Sequence, residues 1–99
     1  MLNIKKTVEN GEAVFKLEGR LDTGSAPAFE AELKQSLDGV NSLILDFEKL
    51  EYISSAGLRS LLLALKLLHN KGRMKIVHVN ELVMEVFEVT GFSEMLTIE

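Results

Sequence analysis

The chain has 99 residues, 46% hydrophobic and 26% charged, a balance that fits one compact domain and excludes a disordered or low-complexity chain. Its formal net charge is -4 and its lysines and arginines form no stripe, which argues against nucleic acid as a partner. There is no cysteine, so disulfide and thiol chemistry are excluded and a reducing compartment is expected.

The first twenty residues alternate. Leu2, Ile4 and Val8 precede Asn10-Gly11, and Ala13, Phe15 and Leu17 follow it. Asn-Gly readily takes the positive backbone angles of a tight turn, so two antiparallel strands forming a hairpin are predicted. The opening MLNIKKTVENGE has no long apolar segment behind its lysines, so no secretory leader is expected. The loop Gly19-Arg20-Leu21-Asp22-Thr23-Gly24-Ser25 then interrupts the strand pattern.

Ser25 is the predicted N-cap of a first helix, with Pro27 in its first turn, where a missing N–H does no harm. Phe29, Leu33 and Leu37 follow at helical spacing, Glu30 and Glu32 are placed on the exposed side, and Gly39 closes the segment. Ser42 to Phe47 is a short apolar run of the kind found in a central strand.

A second helix is predicted from about Ala56 to His69, with Leu58, Leu61, Leu62, Leu65 and Leu68 on its buried stripe and Asn70-Lys71-Gly72 ending it. Leu63, Ala64 and Leu67 lie off that stripe, which leaves burial in the core and a partner groove as alternatives. The run LLLALKLL contains a lysine and is far short of the ~20 residues that span a bilayer, so a soluble cytoplasmic protein without membrane insertion is expected. Met74 to Val79 reads as a further strand and Asn80 as a cap. Leu82, Val83, Val86 and Phe87 form the predicted buried side of a third helix stopped at Thr90-Gly91, and Met95 to Ile98 a last short strand. The expected fold class is α/β, a mixed sheet of four to five strands with three main helices, partly parallel through two right-handed strand-helix-strand crossovers.

The sequence is poor in catalytic constellations. It has no glycine-rich phosphate loop, and His69 and His78 have neither metal-ligand spacing nor a nucleophile beside them. A non-enzymatic protein without metal or cofactor is therefore expected. Asp46 ends a central strand, where phospho-acceptor aspartates of receiver domains sit, but the paired acids such a site needs are absent from the first two strands. A structural or loop-capping role follows. Asp22 has two readings: a turn aspartate bonding its own backbone, or a neighbour of residues 53–58 at the shared end of a partly parallel sheet.

The stretch ISSAGL, residues 53–58, connects strand and helix. Ser55 is the predicted cap, its hydroxyl accepting from Gly57 or Leu58, worth about 1 kcal/mol. A phosphate on that hydroxyl would place roughly -1.5 to -2 charges at the positive end of a helix, with Gly57 leaving the backbone open to the anion.

With these elements in order, LILDFEKLEYISSAGLRSLLLALKLL resembles the central segment of STAS domains, named for sulphate transporters and anti-sigma factor antagonists. The stretch GRLDTGSAPAFEAEL resembles the family's first loop and helix, and VNELVMEVFEVTGFSEMLTI its closing segment, so a single STAS domain over residues 1–99 is expected. The resemblance implies an anti-sigma factor antagonist regulating transcription. Its partner would be an anti-sigma factor that is also a serine protein kinase, with a PP2C-type phosphatase resetting the switch. The implied phosphorylation site is Ser55, with Ser54 as the alternative, because Ser54 stands where many antagonists carry Asp and Ala56 where they often carry Ser or Thr. Asp22, Thr23, Ser54, Ala56, Gly57 and Leu58 are its implied partner-binding surroundings. A rival expectation is a STAS subunit of an ABC-type transport complex, or a signalling scaffold, acting by constitutive protein binding.

Overall fold

The structure, a computed structural model, describes residues 2–99. Strands β1 (Leu2–Glu9) and β2 (Glu12–Leu21) form the predicted hairpin, paired antiparallel from Leu2↔Gly19 to Glu9↔Glu12. Asn10 and Gly11 supply its turn with φ of 52° and 79°. Helix α1 (Ala26–Ser36) carries the chain to β3 (Ser42–Ile53), and α2 (Ser55–Leu68) to β4 (Arg73–Val77). β3 pairs parallel with both β2 and β4, giving the sheet order β1-β2-β3-β4. Helix α3 (Glu81–Thr90) and the short α4 (Phe92–Met95) complete the chain.

One face of the sheet meets the helices. Ala13, Phe15 and Leu17 of β2, Leu43, Leu45 and Phe47 of β3 and Ile76 of β4 are essentially inaccessible, while their alternates Lys16, Glu18 and Asp46 face away from that core. Phe29 of α1 meets Phe15 edge-on at 6.4 Å, and Phe87 of α3 lies 6.4 Å from Phe47. These aromatic pairs dock the first and third helices onto neighbouring strands, each adding about 0.5–1.5 kcal/mol beyond area burial.

Four expectations are corrected. β3 continues past Phe47 to Ile53, because register shifts between Lys16 and Glu18 and between Gly19 and Arg20 move the buried positions to Leu50 and Ile53 and break the alternation. In place of a last strand, Phe92–Met95 is helical and only Ile98 bridges to Ile76, through Thr97 and Glu99 backbone bonds. On α2, Ala64 is buried with Leu58, Leu61 and Leu68, whereas Leu62 and Leu65 are only half-buried. On α3 the core side is Val83 and Phe87; Leu82 is 52% exposed.

Candidate functional site

The turn between β3 and α2 assigns different work to its two serines. Ser54 is the last extended residue (φ -103°, ψ 179°), and its hydroxyl accepts a 3.4 Å bond from the Gly57 N–H. Its carbonyl accepts from the Leu58 N–H at 2.9 Å. Ser54, not Ser55, is therefore the N-cap, because only a residue with extended backbone folds its side chain back onto the first turn. Ser55 is the first helical residue, exposed and without a capping role. Ala56, Gly57 and Leu58 are buried beneath it.

Gly57 does not open the backbone to an anion, as the sequence suggested. A Cβ there would lie 2.7 Å from Ile53 Cγ1 and 2.8 Å from the Leu21 carbonyl oxygen, so the glycine lets α2 seat against the ends of β2 and β3.

Those strand ends also bring the Asp22 loop to the turn. Arg20 pairs with Tyr52 and Leu21 with Ile53, after which the Ser54 N–H donates to the Leu21 carbonyl at 2.9 Å. Both readings of Asp22 hold in part. It follows the residue bonded to Ser54, yet its Oδ1 accepts from the Gly24 and Ser25 N–H groups at 3.1 and 3.2 Å. Desolvation works against the Asp22 charge, but the Ser25 and Gly24 bonds outweigh it and hold the carboxyl below its ordinary range. Ser25 stands in the cap position of α1 without capping it: its hydroxyl donates to the Arg20 carbonyl at 2.7 Å and accepts from the Asp22 N–H at 2.9 Å. The loop is thereby closed on itself, with Thr23 exposed at its tip.

Three features of this neighbourhood escaped the sequence reading. The Arg20 guanidinium lies 4.4 Å from the Tyr52 ring centroid and 3.7 Å from Asp22 Oδ2, so it stacks beside the turn rather than trailing in solvent. The fully buried Ser60 hydroxyl donates to Glu30 Oε2 at 2.7 Å, joining α2 to α1; Glu30 is thus no simple exposed charge, and Glu32 pairs with Lys6 at 2.9 Å. Arg59 stands exposed four residues beyond Ser55, on the same helical face. The Ser55–Arg59 spacing was visible in the sequence; the other contacts join residues far apart in the chain.

The comparisons with known proteins agree with this architecture. The STAS domain model matches residues 3–99. The chain belongs to the STAS domain family. It is 36% identical over 91 residues to the provisionally named anti-sigma factor antagonist BtrV of Bordetella bronchiseptica, covering 90% of this chain and 78% of that one. Its fold matches the crystal structure of an anti-sigma factor antagonist from Mycobacterium paratuberculosis with a TM-score of 0.89 at 20% identity, over 99% of this chain and 85% of the other. It also matches the Bacillus cell fate determinant SpoIIAA in its phosphorylated form, with a TM-score of 0.74 at 20% identity, over 100% and 91% of the two chains.

A second polar cluster of this STAS domain lies beyond the β3–β4 pairing. Asp46 does not end β3 and caps no loop: it lies inside the strand, where its Oδ1 accepts from the Glu48 N–H at 3.0 Å, a structural role, and meets His78 Nδ1 at 2.9 Å. The Asp46 bond and charge, reinforced by Glu48, raise the His78 pKa above 6.5 against opposing desolvation and Lys16. Desolvation disfavours the charged Asp46, but His78 and the Glu48 N–H outweigh it and lower its pKa. Asp46, Glu48 and His78 place one ligand-type atom each within 4.8 Å of one another, a grouping that His78's position 32 residues from Asp46 hid from spacing analysis. No helix among the described residues is long and apolar enough to cross a membrane.

Proposed function

We propose that this STAS domain is an anti-sigma factor antagonist: a cytoplasmic binding protein that engages an anti-sigma factor with serine kinase activity and is released by phosphorylation of Ser55. The observation that carries this reading is the division of labour in the turn. Ser54 supplies the cap, so the exposed Ser55 hydroxyl is free for modification without loss of that bond. A phosphate there sits at the N-terminus of a 14-residue helix, where negative charge is favoured, and adds roughly -1.5 to -2 charges to the surface. The fold survives while the face a partner meets gains negative charge, which is how a charge switch disrupts an interface by repulsion and desolvation.

The names of BtrV and of the two solved structures support the antagonist reading over a transport subunit. The description of SpoIIAA as phosphorylated supports a switch of this kind. In this reading Asp22, Thr23 and Arg20 rim the turn as partner contacts, and a PP2C-type phosphatase restores the binding form. Isothermal titration of the unmodified chain and of Ser55→Asp against the anti-sigma factor kinase tests it. Binding weakened about tenfold or more by the acidic side chain, with an unchanged melting temperature, is expected. Equal affinity of the two forms overturns the switch.

A further inference from the structure

The second half of the chain is electrically divided. From Arg59 to Asn80 every charged residue is a cation apart from two histidines, and from Glu81 to Glu99 every one is an acid. Each half presents an apolar surface to solvent. On α2, Leu62, Leu63 and Leu65 line an open groove bordered by Arg59, Lys66 and His69. On α3, Leu82 and Val89, 52% and 81% exposed, form a ridge with half-buried Val86, bordered on its solvent side by Glu81, Glu85 and Glu88. Among the described residues none of these six border side chains takes part in an ion pair.

We propose that the chain associates head to tail with a second copy of itself, the acidic apolar ridge of α3 on one copy seating in the basic apolar groove of α2 on the other. The occupant is argued from charge: a ridge edged by carboxylates fits a groove edged by cations, and among the described residues neither is paired with its complement. Two different patches are joined, so the contact is heterologous and propagates or closes into a ring rather than forming an isologous pair. Ser55, Arg59, Leu62 and Lys66 share one face of α2, so association covers the surface next to Ser55 and competes with any partner that binds there. The proposal stands on the two surfaces whether or not Ser55 is modified.

Sedimentation equilibrium tests it, at protein concentrations up to about 1 mM, where small interfaces associate. The weight-average mass of the wild type rises with concentration and falls back as salt is added. R59E/K66E and E85K/E88K, folded by circular dichroism, each raise the self-dissociation constant about tenfold or more. An equimolar mixture of the two restores association in alternating order, because each variant's groove then matches the other's ridge: the acidic groove takes the basic ridge, and the unaltered basic groove takes the unaltered acidic ridge. A wild type that stays monomeric over the whole range, or association that neither double variant weakens, overturns the proposal. So does a mixture that fails to associate.

Discussion

The Leu21 carbonyl oxygen accepts a 2.9 Å hydrogen bond from the Ser54 N–H, and the same oxygen lies 2.8 Å from where a Cβ on Gly57 would stand. One atom at the end of β2 thus holds the cap residue of α2 and dictates a glycine in its first turn. Gly57→Ala pushes against this backbone oxygen and against Ile53 and Leu21 side chains, and cannot relax by moving a flexible tip. A loss of about 1–3 kcal/mol is expected in urea unfolding, despite the better helix propensity of alanine.

The two serines separate by stability before any partner is involved. Ser54→Ala removes the acceptor for the Gly57 N–H and is expected to cost about 0.5–2 kcal/mol. Ser55→Ala removes an exposed hydroxyl without a capping role and stays within about 0.5 kcal/mol of wild type. Paired urea titrations check the order; a larger loss at Ser55 reverses the assignment of the cap.

Ser60→Ala strands the Glu30 carboxylate between α1 and α2. The 2.7 Å bond is made by a fully buried hydroxyl, so a loss of about 1–3 kcal/mol is expected. Adding Glu30→Gln, which removes the stranded charge, recovers part of it in a double-mutant cycle.

The His78–Asp46 pair makes stability depend on pH in a defined window. The folded-state pKa of His78 is raised above 6.5, so its stabilisation is complete at pH below 6.5 and fades as pH rises through the higher folded value. The Asp46 pKa is lowered below 3.8, so its stabilisation is present above 3.8 and is lost on acidification through the lower folded value. His78→Asn is the informative variant, because His78 has φ of 61° and asparagine tolerates that backbone. The melting-temperature gap between wild type and variant is expected to be widest between about pH 5 and 6 and to narrow above pH 7. A constant gap contradicts the pairing.

Local chemistry announced most of the fold. The Asn10-Gly11 turn, the Asn80 cap on Val83 and the helical spacing of Phe29 and Leu33 each depend on a few neighbouring residues, and each is present. What failed depended on distant parts of the chain. The apolar run of β3 stops at Phe47, yet the strand continues to Ile53 beside a β2 that shifts register, and the helix start lies one residue earlier than local signals place it, which moves the cap from Ser55 to Ser54. Leu82 was assigned to the core on periodicity alone, which cannot tell a buried stripe from an exposed one at its edge. The Glu30–Ser60 and Asp46–His78 contacts, 30 and 32 residues apart, have no signature in a single sequence.

The central claim is that Ser55 carries the switch. Incubation with ATP and the cognate serine kinase, followed by mass-spectrometric site mapping and titration of the purified product against that kinase, tests it most directly. One phosphate on Ser55, absent from Ser55→Ala, and binding weakened about tenfold or more are predicted. A phosphate on Ser54, no phosphate, or a Ser55-phosphorylated chain that binds as tightly as the unmodified one contradicts it.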